Sequence, residues 1–291
     1  MHTSITTLLI LLSTTALSIS NLWAADRFAG VEVKTQTVSG SVHMLTGSGG
    51  NIGVSIGSDG TLIIDDQFAP LAEKIQNALT KLGGDRPRLI LNTHFHGDHT
   101  GSNPSFGSSG AIIAHDNVRV RLATQDGFAP SGLPVVTFAQ QLTVHFNGDE
   151  LALIHLPNGH TDGDSVVWFK QANVIHMGDH FFNGAFPYID IGSGGSVSGV
   201  IRNLEQVIQT VPADIKIIPG HGPMANLADL SESLATIKAT QKIIQQGVSA
   251  GLSHSKIEAK LSDYANWSKG FINTSRWISI IKSDLENSAV R

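Results

Sequence analysis

Leu89-Ile90-Leu91-Asn92-Thr93-His94-Phe95-His96-Gly97-Asp98-His99-Thr100-Gly101 joins a short apolar run to three imidazoles and a carboxylate. The apolar run reads as a buried strand, and the ligand-rich stretch falls on the loop beyond its carboxyl end. So dense a set of nitrogen and oxygen donors, in a chain with no cysteine, predicts a metal site that is used for chemistry.

On the amino-terminal side, alternating stretches at Val31 to Val38, Val42 to Thr46, Ile52 to Ile56 and Leu62 to Ile64 predict strands. Tight turns at Gly47-Ser48-Gly49-Gly50 and Ser58-Asp59-Gly60 join them. Leu71, Ile75, Ala78, Leu79 and Leu82 recur at helical spacing, and Gly83-Gly84 ends that helix. On the carboxyl side, strands are expected at Val135-Val136, Leu142 to Phe146, Leu151 to Leu156, Ser165 to Phe169, Asn173 to His176 and Ile215 to Ile218. Helices are expected at about Val197 to Thr210, Ala225 to Gln246 and Thr274 to Asn287. Interleaved strands and helices predict a layered α/β or α+β domain covering residues 26–291, with a helical carboxyl-terminal segment.

Three further ligand groups follow predicted strands: Gly159-His160-Thr161, Gly178-Asp179-His180 and Pro219-Gly220-His221-Gly222. Their glycines allow close backbone approach to an ion. In an extended segment, residues two apart point to one side, so His94 and His96 can grip one ion, with His160 completing a three-nitrogen face. Asp98, His99 and His221 face a second position, and Asp179 is suited to bridge the two. The ions would stand roughly 3.5–4 Å apart. Zinc is the expected metal, iron and manganese being other acceptors of this donor set.

These four ordered motifs, HxHxDH at His94 to His99, GHT at His160, GD at Asp179 and PGHG at His221, resemble the metallo-β-lactamase superfamily, from about Val31 to Pro223. The resemblance implies a four-layer αββα sandwich with a dinuclear site on one edge. It also implies that Asp65, at the end of Ile63-Ile64-Asp65, supports the metal loop from outside the ligand set.

Two cations that acidify a shared water and polarise a carbonyl imply hydrolysis of an activated ester, thioester, lactone or lactam, with Asp98 orienting the nucleophile and shuttling its proton. The string from Gly159 to Trp168 resembles true β-lactamases, which keeps β-lactam cleavage as an alternative. Asp179, however, stands where the cysteine-containing lactamases place a metal cysteine, and Phe182 stands where they carry a lysine that holds the antibiotic carboxylate. Loss of that anchor is expected to weaken anionic substrates. A thioesterase similar to the hydroxyacylglutathione hydrolases shares the Asp pattern. A diiron redox protein would resemble HxExD, against the His at position 96. A non-catalytic metal-binding module is disfavoured by the intact ligand set.

Phe181, Phe182, Phe186, Tyr188 and the Asp179 neighbour His180 are expected to wall the pocket. Tyr264, Trp267, Phe271 and Trp277 are expected in the core. His43, His115, His145, His155, His176 and His254 read as hydrogen-bonded core or surface groups, and Asp162 and Asp164 as turn or cap residues. Gly53-Val54-Ser55-Ile56-Gly57 fits a serine nucleophile elbow, but Ser55 lies within a strand, where its hydroxyl is expected on the solvent side.

A formal charge of −5 and the lack of a basic run argue against a nucleic-acid partner, leaving a small-molecule substrate. Residues 1–25 contain no Asp, Glu, Lys or Arg, centre on Leu8-Leu9-Ile10-Leu11-Leu12 and end in Trp23-Ala24-Ala25. They read as a cleaved signal peptide too short in its apolar core to span a bilayer, so a secreted or periplasmic product without stable membrane insertion is expected.

Overall fold

The computed structural model describes residues 27–290, so the expected leader lies outside the described residues. Seven strands form the first sheet in the order of the chain: β1 (Lys34–Ser39), β2 (Val42–Thr46), β3 (Ile52–Gly57), β4 (Gly60–Ile64), β5 (Leu89–Leu91), β6 (Ala111–His115) and β7 (Val136–Phe138). β1 to β4 meander antiparallel, and β4 to β7 run parallel. The second sheet contains β8 (Gln141–Phe146), β9 (Asp149–His155), β10 (Ser165–Phe169), β11 (Val174–His176), β12 (Lys216–Ile218) and β13 (Ala225–Asn226), arranged from β8 at one edge to β13 at the other.

Side-chain alternation along the strands decides how the layers stack, because successive residues face opposite sides. In β4, Leu62 and Ile64 enter the core between the sheets, where they meet Val167, Phe169, Val174 and Ile218 of the second sheet. Ile63 faces the other way, against Leu71, Ile75 and Leu79 on the helix Ala72–Lys81 and the turn before it. Across the molecule, Val166, Ile175 and Ile217 pack outward onto the helices Val197–Thr210, Leu227–Ser249 and Thr274–Val290. The result is helix, sheet, sheet, helix, as the four-layer expectation required.

Two boundaries and one gap differ from the sequence reading. β1 begins at Lys34 rather than Val31, and the third long helix begins at Leu227, where Asn226 and Asp229 form a reciprocal capping box. Between residues 100 and 134, where no element was expected, lie β6 and a helix, Asp116–Ala123. Ser55 is inside β3 but buried, its hydroxyl accepting from Asn147 Nδ2 at 3.0 Å, so the solvent-side expectation fails. Among the described residues, no helix is long and apolar enough to cross a membrane.

Candidate metal centre

The loops that leave β4, β5, β11 and β12, together with the connection from β9 to β10, meet at one edge of the sandwich. They gather two groups of donor atoms that could each hold a metal ion: His94, His96, His160 and Asp179, and Asp98, His99 and His221. All seven residues expected as ligands are therefore in one place. Within the first group, His96 Nδ1 lies 3.1 Å from His94 Nε2 and 2.9 Å from His160 Nε2. In the second, His99 Nε2 is 3.4 Å from His221 Nε2 and 3.7 Å from an Asp98 oxygen. Donors around a tetrahedral ion at ~2.0–2.1 Å stand roughly 3.3 Å apart, so these separations suit metal coordination.

Asp179 joins the two groups. Its Oδ2 is 3.5 Å from His160 Nε2 and 3.8 Å from His94 Nε2, while Oδ1 is 3.1 Å from His99 Nε2 and 3.4 Å from His221 Nε2. Oδ1 is buried and has no hydrogen-bond partner. A buried carboxylate oxygen without a donor is costly, and a cation between the groups would satisfy it.

The outward nitrogens are held so that the inward ones present lone pairs. Thr93 Oγ1 accepts from His94 Nδ1 at 3.0 Å and donates to Asp65 Oδ2 at 2.7 Å. His99 Nδ1 donates to Asp65 Oδ2 at 2.8 Å, and His160 Nδ1 to the Tyr188 carbonyl at 2.8 Å. Asp65 also accepts from the Thr93 backbone N–H at 2.8 Å, which anchors the β5 loop to the end of β4. Its left-handed backbone, φ 62°, is the local strain that turns this carboxylate onto the loop. The support role implied for Asp65 thus has four hydrogen-bonding contacts behind it when the Thr93 relay to His94 is included.

Charge in the cluster is shared between histidines and carboxylates. Burial pushes the His94 imidazole well below its usual range and His160 down to about 4, which favours neutral, ligating rings. Burial opposes ionisation of Asp179 as well, but His99, His221, His94 and His160 together hold its carboxyl well below the usual range. Burial would likewise lower His99 and His221; Asp179 and Asp98 outweigh it, raising His99 well above 6.5 and His221 to about 9. The carboxylates demand positive charge at the second position. A divalent cation held there would supply that charge and leave both rings neutral as ligands.

Backbone packing leaves little freedom around the ligands. A Cβ on Gly220 would come within 2.2 Å of Asp179 Oδ1, and one on Gly50 within 2.1 Å of the His99 ring. Asn51 clamps the His221 turn, donating from Nδ2 to Pro219 O at 2.9 Å and Gly222 O at 2.8 Å. His176, read as a core histidine, hydrogen-bonds the Asn51 carbonyl at 3.0 Å and accepts from Gly178 N at 3.2 Å. Asp164 accepts from Thr161 N, and Asp162 pairs with Arg121, both structural roles as expected.

A cavity of about 760 Å³ opens over the centre, bordered by His96, Asp98, Asp179, Phe182, Tyr188 and His221 among others. Three expectations for its wall are corrected. His180 is fully buried away from it, accepting from Asn203 Nδ2 at 3.0 Å, and burial pushes its imidazole down to about 3. Phe181 and Phe186 belong to the core, Phe186 stacking on Trp277 at 5.5 Å. Phe271, expected in the core, is 70% exposed and lines the cavity; the exposed position lets its ring meet Tyr188 edge-on.

One supporting residue escaped the sequence reading. Asp190 Oδ2 accepts from His96 Nε2 at 3.1 Å, and its backbone N–H donates to the His160 carbonyl at 2.9 Å. It therefore orients two donors of the first group, with Nδ1 of His96 turned inward. Replacing Asp190 by Ala is expected to lower metal affinity by roughly 10–100-fold without unfolding the chain. Asp190→Asn should recover most of that loss, because its amide oxygen still accepts from Nε2; competition against a chromophoric chelator reads both.

A profile of the metallo-beta-lactamase superfamily matches residues 45–221. Over 161 residues the chain is 29% identical to the hydroxyacylglutathione hydrolase of Nitrosococcus oceani, covering 54% of this chain and 57% of that protein. The chain thus spans a little over half the length of that relative. A probable metallo-hydrolase of Bacillus subtilis, YqgX, is 28% identical over 177 residues, covering 56% of this chain and 83% of its own length. A metallo-beta-lactamase from Pontibacter korlensis superposes with a TM-score of 0.62 at 18% identity, over 71% of this chain and 99% of that one; it shares the fold. With the profile spanning all seven candidate ligands and the sandwich matching in three dimensions, the chain belongs to the metallo-beta-lactamase superfamily, whose homologues are metal-dependent hydrolases.

Proposed function

We propose that this protein is a secreted hydrolase that holds two zinc ions and cleaves an activated ester, thioester or lactone. The observation that carries the reading is Asp179, which offers one oxygen to each donor group, with the buried Oδ1 within 3.1 Å of His99 Nε2 and 3.4 Å of His221 Nε2 but without a hydrogen-bond partner. His94, His96 and His160 would hold one ion, Asp98, His99 and His221 the other, with Asp179 between them. The chemistry such a pair of divalent cations supplies is polarisation of a carbonyl oxygen and a lowered pKa for water.

The side chains around the centre perform the remaining tasks. Asp98 faces the cavity with its side chain 26% exposed, against 5% for Asp179, so it is the ligand carboxylate able to orient a water and accept its proton. Phe182 stacks on His221 at 4.9 Å, and Tyr188 lies 5.9 Å from the His96 ring; both keep one side of the cavity apolar. Esters, thioesters and lactones are favoured over lactams because the bridging group is Asp179 rather than a cysteine, and because the relatives include a hydroxyacylglutathione hydrolase.

Purified mature protein should hydrolyse members of an ester, thioester and lactone panel more efficiently than β-lactams, lose that turnover on chelation and regain it with added zinc. Undiminished turnover after complete chelation would overturn the proposal, and efficient opening of β-lactams alone would reverse the substrate ranking.

A further inference from the structure

We infer that the mouth of the cavity selects acyl compounds with a flat apolar body and an anionic group remote from the scissile carbonyl, held by Lys269 and Arg27 beside the exposed Phe271 ring, which meets Tyr188 edge-on. This names the substrate class for the hydrolase proposed above and rests on that reading. It also reverses the expectation, drawn from Phe182, that anionic substrates are disfavoured.

The charge inventory of the cavity is the starting point. Its lining contains two carboxylates, Asp98 and Asp179, both within the metal centre, and two permanent cations, Arg27 and Lys269. The chain as a whole carries −5, so a rim whose only uncommitted charges are positive runs against the overall balance. Both cations are exposed. Lys269 has neither a hydrogen bond nor an ion pair among the described residues. Arg27 touches only ring faces there, with its guanidinium 5.1 Å from the Phe28 centroid and 5.7 Å from that of Phe68. A guanidinium laid on aromatic faces still presents its N–H fork at the edge, in the geometry that receives a carboxylate.

The apolar part of the mouth runs outward from the centre. Tyr188 lies 5.9 Å from the ring of His96, and Phe271 meets Tyr188 edge-on at 6.3 Å. Phe271 is 70% exposed, and its other contact is the Arg276 guanidinium at 4.4 Å. An aromatic side chain kept in water beside a cavity is surface available to a flat ligand. The segment that carries Phe271 and Lys269 is fixed in place: Phe186 N donates to Trp267 O at 2.9 Å, Phe186 pairs with Ile272, and a Cβ on Gly270 would fall 2.8 Å from that of Ala185. At Phe182, the ring stacks on His221 and adds apolar surface on the side of the cavity beside the second donor group. Arg27, Lys269 and Phe271 all fall outside residues 45–221, so this chain's own flanking segments supply the selectivity.

The test uses pairs of aryl thioesters that differ only in a remote carboxylate or carboxamide, with matched non-hydrolysable thioethers for binding. Wild-type protein should prefer the carboxylate member by about tenfold or more in both kcat/KM and affinity, and Lys269→Glu or Arg27→Glu should each reduce that preference by about tenfold. The change should appear in KM more than in kcat, and the wild-type preference should shrink with added salt. Phe271→Ala should raise KM for both members. Equal handling of the two members by wild type, or a preference that neither charge reversal alters, would overturn the assignment. Charge-selective thioether binding without any thioester turnover would leave the rim assignment standing and remove the hydrolase reading.

Discussion

Replacing Asp179 by Ala is expected to empty the centre of both ions and to lower kcat/KM by roughly 10³-fold or more, since metal ions contribute several kcal/mol to transition-state stabilisation and each ~1.4 kcal/mol is tenfold. No neighbouring group can substitute, because Asp179 is the carboxylate whose two oxygens approach His94 and His160 on one side and His99 and His221 on the other. The same variant has a signature in metal-free protein. Asp179, with its carboxyl held below 3.8, contributes stability above that value and loses it as pH falls through its folded pKa. His221, raised from 6.5 to about 9, contributes fully below 6.5 and loses its contribution as pH rises through about 9. His94 and His160, which burial holds below 6.5, act the other way and cost stability as pH falls from 6.5 toward about 4, so the cluster favours the folded metal-free state most near pH 6.5. Thermal melts of chelated protein should show this maximum, and Asp179→Ala should flatten it.

The second large effect is expected at Asp65. Asp65→Ala would leave the Thr93 N–H, the Thr93 hydroxyl and His99 Nδ1 without their acceptor, all within a site that is fully buried at Asp65 and His99. Each stranded donor costs about 1–3 kcal/mol before relaxation; with partial compensation the chain should lose about 4 kcal/mol. A domain of this size would then melt roughly 10 °C lower. His99 would lose the contact that fixes its tautomer, and the Thr93 hydroxyl that holds His94 would lose its anchor, so metal affinity should fall by about 10–100-fold as well. Asp65→Asn separates the two roles: its amide oxygen can serve Thr93, while an amide N–H facing His99 Nδ1–H sets donor against donor. Calorimetry alongside metal competition should therefore show Asn milder than Ala in stability and still defective in metal binding.

The ligand set was legible because every member lies beside a local signal that sequence displays: an apolar strand, a glycine turn and a side chain with few structural reasons to be there. Leu89-Ile90-Leu91 before His94, and Ile217-Ile218 before Pro219-Gly220-His221, are the clearest cases. The four layers were implied by the family resemblance, and strands such as Leu62-Ile63-Ile64, apolar on both faces, are covered on both. Residues 100–134 were not legible for a related reason. The helices Gly97–Thr100 and Asn103–Phe106 are one turn each, too short to display a period, and the helix Asp116–Ala123 buries only Val118 and Leu122. Asp190 was missed because its partner, His96, is brought to it by the tertiary fold, and nothing in Tyr188-Ile189-Asp190 marks that meeting. The cavity mouth was illegible on the same grounds, with Arg27 and Lys269 near opposite ends of the sequence. His180, allowed a place in the wall as the neighbour of Asp179, does point away from the ligands, but the turn Gly178–His180 directs its ring into the core, toward Asn203.

The most direct measurement is the number of metal ions per chain, by elemental analysis of purified protein and of two variants, His96→Ala and His221→Ala, after dialysis against limiting zinc. Two donor groups sharing Asp179 predict two ions in the wild-type chain and one in each variant, with His96→Ala emptying the group of His94 and His160 and His221→Ala the group of Asp98 and His99. A wild-type chain that retains no metal, or that binds one ion whose retention neither substitution changes, would contradict the account.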